Sequence, residues 1–184
     1  MRALLSMRLE KNFPTWFAEL RPIYGPFEAG MDRFIKLSKD RFIGKEAASK
    51  EYNEGPKLTR VSFIVKAGTA DVIADEPVWA KVGDKDYGTI EPAHGFGAHR
   101  FDASGEGIPK RASARDGDWR VVGWVTSGGY AHGIEKSMAQ AYLPSELAKR
   151  DEVGLFEIEI LGIRRAAVIT LEPPFDPTGA KMRS

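Results

Sequence analysis

In FEIEILGIRRAAVITL, residues 156–171, Phe156, Ile158 and Ile160 alternate with Glu157 and Glu159. Strand side chains point to opposite faces in turn, so this period of two predicts a strand with one buried and one wet face. Gly162 marks a turn before Arg164–Leu171, and the two segments read as a β-hairpin. Upstream, LTRVSFIVK (58–66) collects Thr59, Val61, Phe63 and Val65 on one face against Arg60, Ser62 and Lys66. WRVVGWVT (119–126) and SMAQAYL (137–143) have the same look. Several short strands separated by turn residues predict a small antiparallel barrel or jelly-roll.

The first part of the chain reads differently. Leu4, Leu5, Leu9, Phe13, Trp16, Phe17 and Leu20 recur near the helical period until Pro14 interrupts them, which predicts a helix ending near Asn12 and a further turn or short helix beyond. Arg8 and Glu10, two apart, point in different directions on that helix and read from spacing alone as a solvated face. Pro22, Gly25 and Pro26 make a loop. Asp40 is the expected cap of a helix through FIGKEAASKEY (42–52), which Gly55 stops. The expected fold class is therefore α+β, a helical lead-in (1–56) followed by a β-barrel or jelly-roll-like domain (57–184).

With 42% hydrophobic residues over 184 positions the chain can bury a core of its own. Its longest apolar run falls well short of the roughly 20 residues that cross a bilayer, so no membrane partner is expected. Twenty-seven basic residues against twenty-six acidic ones argue against a phosphate-backbone partner, so no nucleic acid is expected either. No cysteine is present, which removes disulfides, thiolate catalysis and cysteine-based metal sites and fits a reducing compartment such as the cytoplasm.

Three stretches carry residues of chemical interest. GFGAHR (95–100) has arginine where a dinucleotide fingerprint needs its third glycine, and no strand-then-helix context surrounds it, so no flavin or nicotinamide site is expected. His94 and His99, between Glu91 and Asp102, are ligand types for a divalent metal, but five residues apart in a glycine-rich loop they read as ordinary hydrogen-bonding residues. TSGGYAH (126–132) brings Ser127 near His132 without the G-x-S-x-G turn of a hydrolase, and reads first as a tight turn between two strands.

One resemblance runs through most of the chain. Residues 7–47, with RLEK at Arg8–Lys11, an acidic EL at Glu19–Leu20, P-x-E-A-G at Pro26–Gly30 and F-I-G-x-E at Phe42–Glu46, resemble the glycine-cleavage T-protein fold as found in dimethylglycine and sarcosine dehydrogenases. DEPVWA (75–80), VVGWVTSGGYAHGIEKSMAQAYLPSEL (121–147), EIEILGIRRAAVI (157–169) and EPPFDPTGAKMR (172–183) resemble that family's C-terminal barrel, in the same order. The resemblance implies subdomains around a central tetrahydrofolate site, with this barrel the last of them. It also implies demethylation of an N-methylated glycine at a flavin held elsewhere, and passage of the one-carbon unit to tetrahydrofolate. The family's catalytic aspartate lies upstream of RLEK and has no counterpart here, so the chain is expected to be inactive alone. An upstream flavin and folate half, or a separate subunit supplying it, is the expected partner.

A split assembly, a truncated relic and a part of a longer protein all satisfy this reading. A stand-alone T-protein-like binding or scaffold domain is the alternative, and a hydrolase on Ser127 and His132 ranks last. The resemblance carries a folate role to Arg8 and Glu10, to Arg111 of GIPKR (107–111), and to Tyr130 after TSGG. Guanidinium forks suit carboxylates and an aromatic suits the planar pterin or benzoate. The stretch 81–115 stands where the family has a short turn and is read as an inserted loop.

Overall fold

The computed structural model describes residues 2–85, 87 and 115–183. Helix α1 (Arg2–Glu10) and helix α2 (Lys45–Glu54) precede seven strands: β1 (Leu58–Val65), β2 (Pro77–Lys81), β3 (Arg115–Asp116), β4 (Trp119–Ala131), β5 (Lys136–Pro144), β6 (Phe156–Ile160) and β7 (Ile163–Thr170). The ring runs β1, β5, β4, β2, β6, β7 and returns to β1, every pairing antiparallel, with β3 appended to β4. Of the two architectures expected, the closed barrel is the one formed. Closure through β2 pairs both edges of that short strand, which leaves the ring without an open edge.

The hairpin at 156–171 forms as its pattern predicts. Phe156, Ile158 and Ile160 are buried while Glu157 and Glu159 face outward. Ile160 pairs with Ile163 across Leu161 (φ 51°) and Gly162 (φ 79°), two left-handed residues in the two-residue turn whose twist suits a hairpin. Inside the barrel Phe63 meets Phe156 edge to face at 5.4 Å between centroids, surrounded by Val61, Val78, Val122, Leu143 and Ile158. Each such side chain contributes roughly 1.5–3 kcal/mol by leaving water.

Strand β5 is buried on both sides from Met138 to Pro144, and this positions everything else. Ala139, Ala141 and Leu143 enter the barrel core. Met138, Gln140 and Tyr142 point the other way, and the lead-in covers them. Leu9 packs with Met138 and Ala131, Gln140 Nε2 donates to the Phe13 carbonyl at 3.5 Å, and Tyr24 stacks on Tyr142 at 3.6 Å between ring centroids. From neighbouring β1, Arg60 Nη1 donates to the Asn12 carbonyl and its Nε to that of Ala29. The lead-in is thus a second layer over the outer face of β1, β5 and β4.

Three expectations are corrected. Asp40 does not cap α2: the cap is Gly44, left-handed at φ 86°, and it is Lys45 that folds back to the carbonyls of Lys39 and Asp40. TSGGY is not a turn but the continuation of β4, with a bulge between Val125 and Ser127 and Gly128 opposite Ala139. The turn falls at His132–Glu135. Arg8 and Glu10 are not a solvated face: both are buried, whereas Leu4, Leu5 and Met7 of the same helix are exposed.

Candidate functional site

The seam between α1 and the β4–β5 hairpin holds most of the residues singled out from sequence. Ser6 Oγ donates to the Tyr130 carbonyl at 2.9 Å and accepts from the His132 N–H at 3.1 Å. One turn later Glu10 Oε1 accepts the Gly133 N–H at 2.6 Å. The 3.6-residue repeat stacks Ser6 and Glu10 on one face of α1, so both meet the hairpin end. Tyr130 is about half exposed and lies edge to face with His132 at 5.0 Å between centroids. The C-terminal segment closes the far end: Lys11 Nζ donates to the Asp176 carbonyl at 2.5 Å, and the Phe175 N–H to that of Glu10 at 3.3 Å.

At the C-terminal end of α1, Arg8 Nη1 donates to Glu19 Oε2 at 2.8 Å, the pair lying 9% and 0% exposed. Glu19 is saturated. Its Oε2 also accepts the Thr15 N–H at 2.8 Å, its Oε1 accepts from Thr126 Oγ1 at 2.7 Å and from Ser127 Oγ, and its carbonyl accepts from Tyr142 Oη at 2.8 Å. A carboxylate with every lone pair directed at a donor tolerates burial that an unpaired one does not. Glu19 was legible only as the acid of the EL motif. What makes it central, hydroxyls more than a hundred positions away, has no local signature.

Burial shapes the tyrosine pair beneath. It pushes the Tyr24 phenol up to about 12, with Arg21 pulling the other way, and raises Tyr142 further, with Arg60 opposing. Both phenols are neutral at physiological pH, so Tyr142 acts as a hydrogen-bond donor to Glu19. Burial also lowers Arg60 from its ordinary value, against attraction from Tyr142 and Glu19.

Glu10 and Tyr130 therefore come to one seam, Glu10 engaged inside the chain and Tyr130 presented at the surface, while Arg8 is engaged with Glu19 on the other side of α1. Arg111, His94 and His99 lie outside the described residues. Ser127 and His132 do not form a hydrolytic pair. Ser127 is buried against Glu19, and four residues of β4 stand between it and His132, which lies in the turn beyond the strand. Among the described residues no group of three or more His, Asp or Glu side chains could hold a metal ion, and no helix is long and apolar enough to cross a membrane.

Seven antiparallel strands, six of them closed into a ring with the lead-in packed over β5, define a small closed-barrel module. The family model of the glycine cleavage T-protein C-terminal barrel domain matches residues 101–176. Mitochondrial dimethylglycine dehydrogenase of Mus musculus is 33% identical over 173 residues, 93% of this chain and 15% of that protein. An aminomethyltransferase of Koribacter versatilis is 28% identical over 154 residues, 83% of this chain and 30% of that protein. The crystal structure of glycine cleavage system aminomethyltransferase T from Bartonella henselae superposes with a TM-score of 0.66 at 18% identity, covering 95% of this chain and 38% of that one, and speaks for the fold. The chain is a C-terminal T-protein-like module, of the kind shared by aminomethyltransferases and dimethylglycine and sarcosine dehydrogenases. It spans well under half the length of these relatives.

Proposed function

We propose that this module forms one wall of a tetrahydrofolate site in one-carbon transfer from N-methylated glycines, and that it is inactive until the remainder of the folate module joins it. The observation that supports this reading is the seam itself: Glu10 and Tyr130 meet where α1 crosses the end of the β4–β5 hairpin, and on the Glu19 side of the same helix Arg8 Nε is buried with no hydrogen-bond partner. A guanidinium N–H without an acceptor and an exposed aromatic ring are the groups that an acidic tail and a planar ring system would use. Tetrahydrofolate, when bound, would supply the amine nitrogens that accept the one-carbon unit. This chain's residues would orient it: Tyr130 by covering a ring face, Arg8 by directing its free N–H, Glu10 by holding the hairpin end in place through Gly133. Arg111 remains part of the proposed set by resemblance alone. The flavin, on this reading, belongs to another part of the assembly.

Affinity comes from completed pockets more than from isolated contacts. Calorimetric titration of tetrahydrofolate into the chain alone is expected to give weak or undetectable heat. Titration into a mixture with the folate-module portion of a longer relative is expected to give saturable binding, reduced about tenfold or more by Tyr130→Ala. Tyr130 is the informative position because its ring is exposed, so its loss leaves the fold intact. Tight binding by the chain alone, or an unchanged Tyr130→Ala mixture, would sink the proposal.

A further inference from the structure

Helix α1 buries Leu9 against the barrel but leaves other apolar side chains in water. Its charged side chains Arg8 and Glu10 are buried, while Leu4 (58% exposed), Leu5 and Met7 (54%) face solvent together with Ala3. Successive residues turn by about 100° around a helix, so Ala3, Leu4 and Met7 share a face; Arg8 follows Leu4 one turn on, but its side chain is buried against Glu19. A helix on the surface of a globular protein carries polar residues outward, and one apolar all round belongs to an interior.

The segment that follows exposes two aromatic rings. Trp16 (67% exposed) and Phe17 (65%) stand edge to face at 5.5 Å between centroids. Phe17 takes φ 67°, a left-handed conformation that a bulky residue adopts only under constraint, here the bond from its N–H to the Leu20 carbonyl. That conformation costs energy and holds a large ring in water. Aromatic residues offer about 150–250 Å² each, so these two alone leave roughly 200–300 Å² of largely apolar surface. Monomeric surfaces rarely expose more than a few hundred Å² without a binding role.

We propose that the outward face of α1, with Trp16 and Phe17, is the docking surface for an uncharged, apolar protein surface carried by the rest of the T-protein-like module. Three features commit it to that occupant. The outward face offers no charge to select an acidic or basic partner. The relatives carry far more protein than this chain matches, 15% of mouse dimethylglycine dehydrogenase and 38% of the Bartonella aminomethyltransferase being covered. The face also belongs to the helix that meets Tyr130 through Ser6 and the hairpin end through Glu10, so a partner seated there would cover that seam. The inference rests on the proposed function for its partner, and on the helix alone for its location.

Sedimentation velocity of the full chain mixed with mouse dimethylglycine dehydrogenase lacking its matched region, in a preparation that melts cooperatively, tests it without tetrahydrofolate. A one-to-one complex is expected, weakened at least tenfold by Leu4→Glu with Met7→Glu and again by Trp16→Glu. All these side chains are solvent-facing, so each variant should keep the parent's melting temperature within a few degrees. No complex, or a complex indifferent to the substitutions, overturns the proposal. Self-association of the chain alone, abolished by the same substitutions, also overturns it, by making a second copy the occupant. A complex that forms through this face yet binds no tetrahydrofolate supports docking and removes the folate reading. The two ideas thus fail separately.

Discussion

Glu19→Ala is the most informative single change, because Glu19 ties the lead-in to the barrel and belongs to neither core cluster. Its loss strands Arg8 in a site 9% exposed and leaves the Thr15 N–H, Thr126 Oγ1 and Ser127 Oγ short of their shared acceptor. Removing one partner of a buried ion pair costs about 3–5 kcal/mol, most of it the penalty of the charge left behind. Each orphaned donor adds up to about 1–3 kcal/mol, though not additively. The barrel keeps its own core, so the change should undock residues 13–20 before it unfolds β1–β7. Urea titration should show a loss of at least about 3 kcal/mol with a lower m-value or a second transition, and amide exchange at Thr15 and Phe17 should accelerate ahead of Phe63. Replacing both charges, with Arg8→Met and Glu19→Leu, should recover much of the loss, since a buried pair is often replaceable by apolar residues of similar volume. If Glu19→Ala unfolds within about 0.5 kcal/mol of the parent, or the double variant is as weak as the single one, the pair does not anchor the lead-in.

Ile158→Asp puts a carboxylate at a fully buried position of β6 and should cost about 4 kcal/mol or more; a melt within a degree of the parent would refute the strand register. Gly123→Ala would drive a Cβ into the Tyr142 carbonyl oxygen and to 2.7 Å from Leu143 Cδ2, so thermal unfolding should show a loss of about 1–3 kcal/mol. Burial raises the Glu76 carboxyl, against the opposing Ile73 N–H. Because it protonates more readily folded than unfolded, it favours the fold at acid pH, and that contribution is lost as pH rises past the usual carboxylate value of about 4.3 through the raised one. Glu76→Gln should therefore gain stability relative to the parent as pH rises through that window. A constant difference in melting temperature from pH 4 to 7 would remove Glu76 as the cause.

What could be read from sequence follows from how each element is buried. β6, and β1 along Val61, Phe63 and Val65, have one face in the barrel, so their period survives in the residue types. β5 is buried on both faces and still reads as a strand, but Gln140 and Tyr142 look like its wet side until the lead-in is seen to cover them. The second half of β4 is hidden because Ser127, Gly128 and Gly129 offer no apolar period and mimic a turn. Gly128 is needed there because Val72 lies 2.6 Å from where a Cβ would sit. α1 reads as a helix, but which side faces inward depends on Glu19, Gln140 and Gly133, none of them adjacent in sequence. The candidate residues Arg8, Glu10 and Tyr130 came from family resemblance, and only the folded chain shows that the first two are occupied by internal partners.

The strands flanking residues 81–115 have a practical consequence for engineering. Lys81 pairs with Trp119, the N–H groups of Val82 and Gly83 both reach the Asp118 carbonyl at 3.0 Å, and β3 folds straight back on β4, so the path out of the barrel and the path back are fastened side by side. The cost of closing a loop grows only logarithmically with its length once its ends are held together. The position is therefore a socket: a short turn, a fluorescent reporter or a new pair of chain termini can be exchanged there while the six-stranded ring keeps its register.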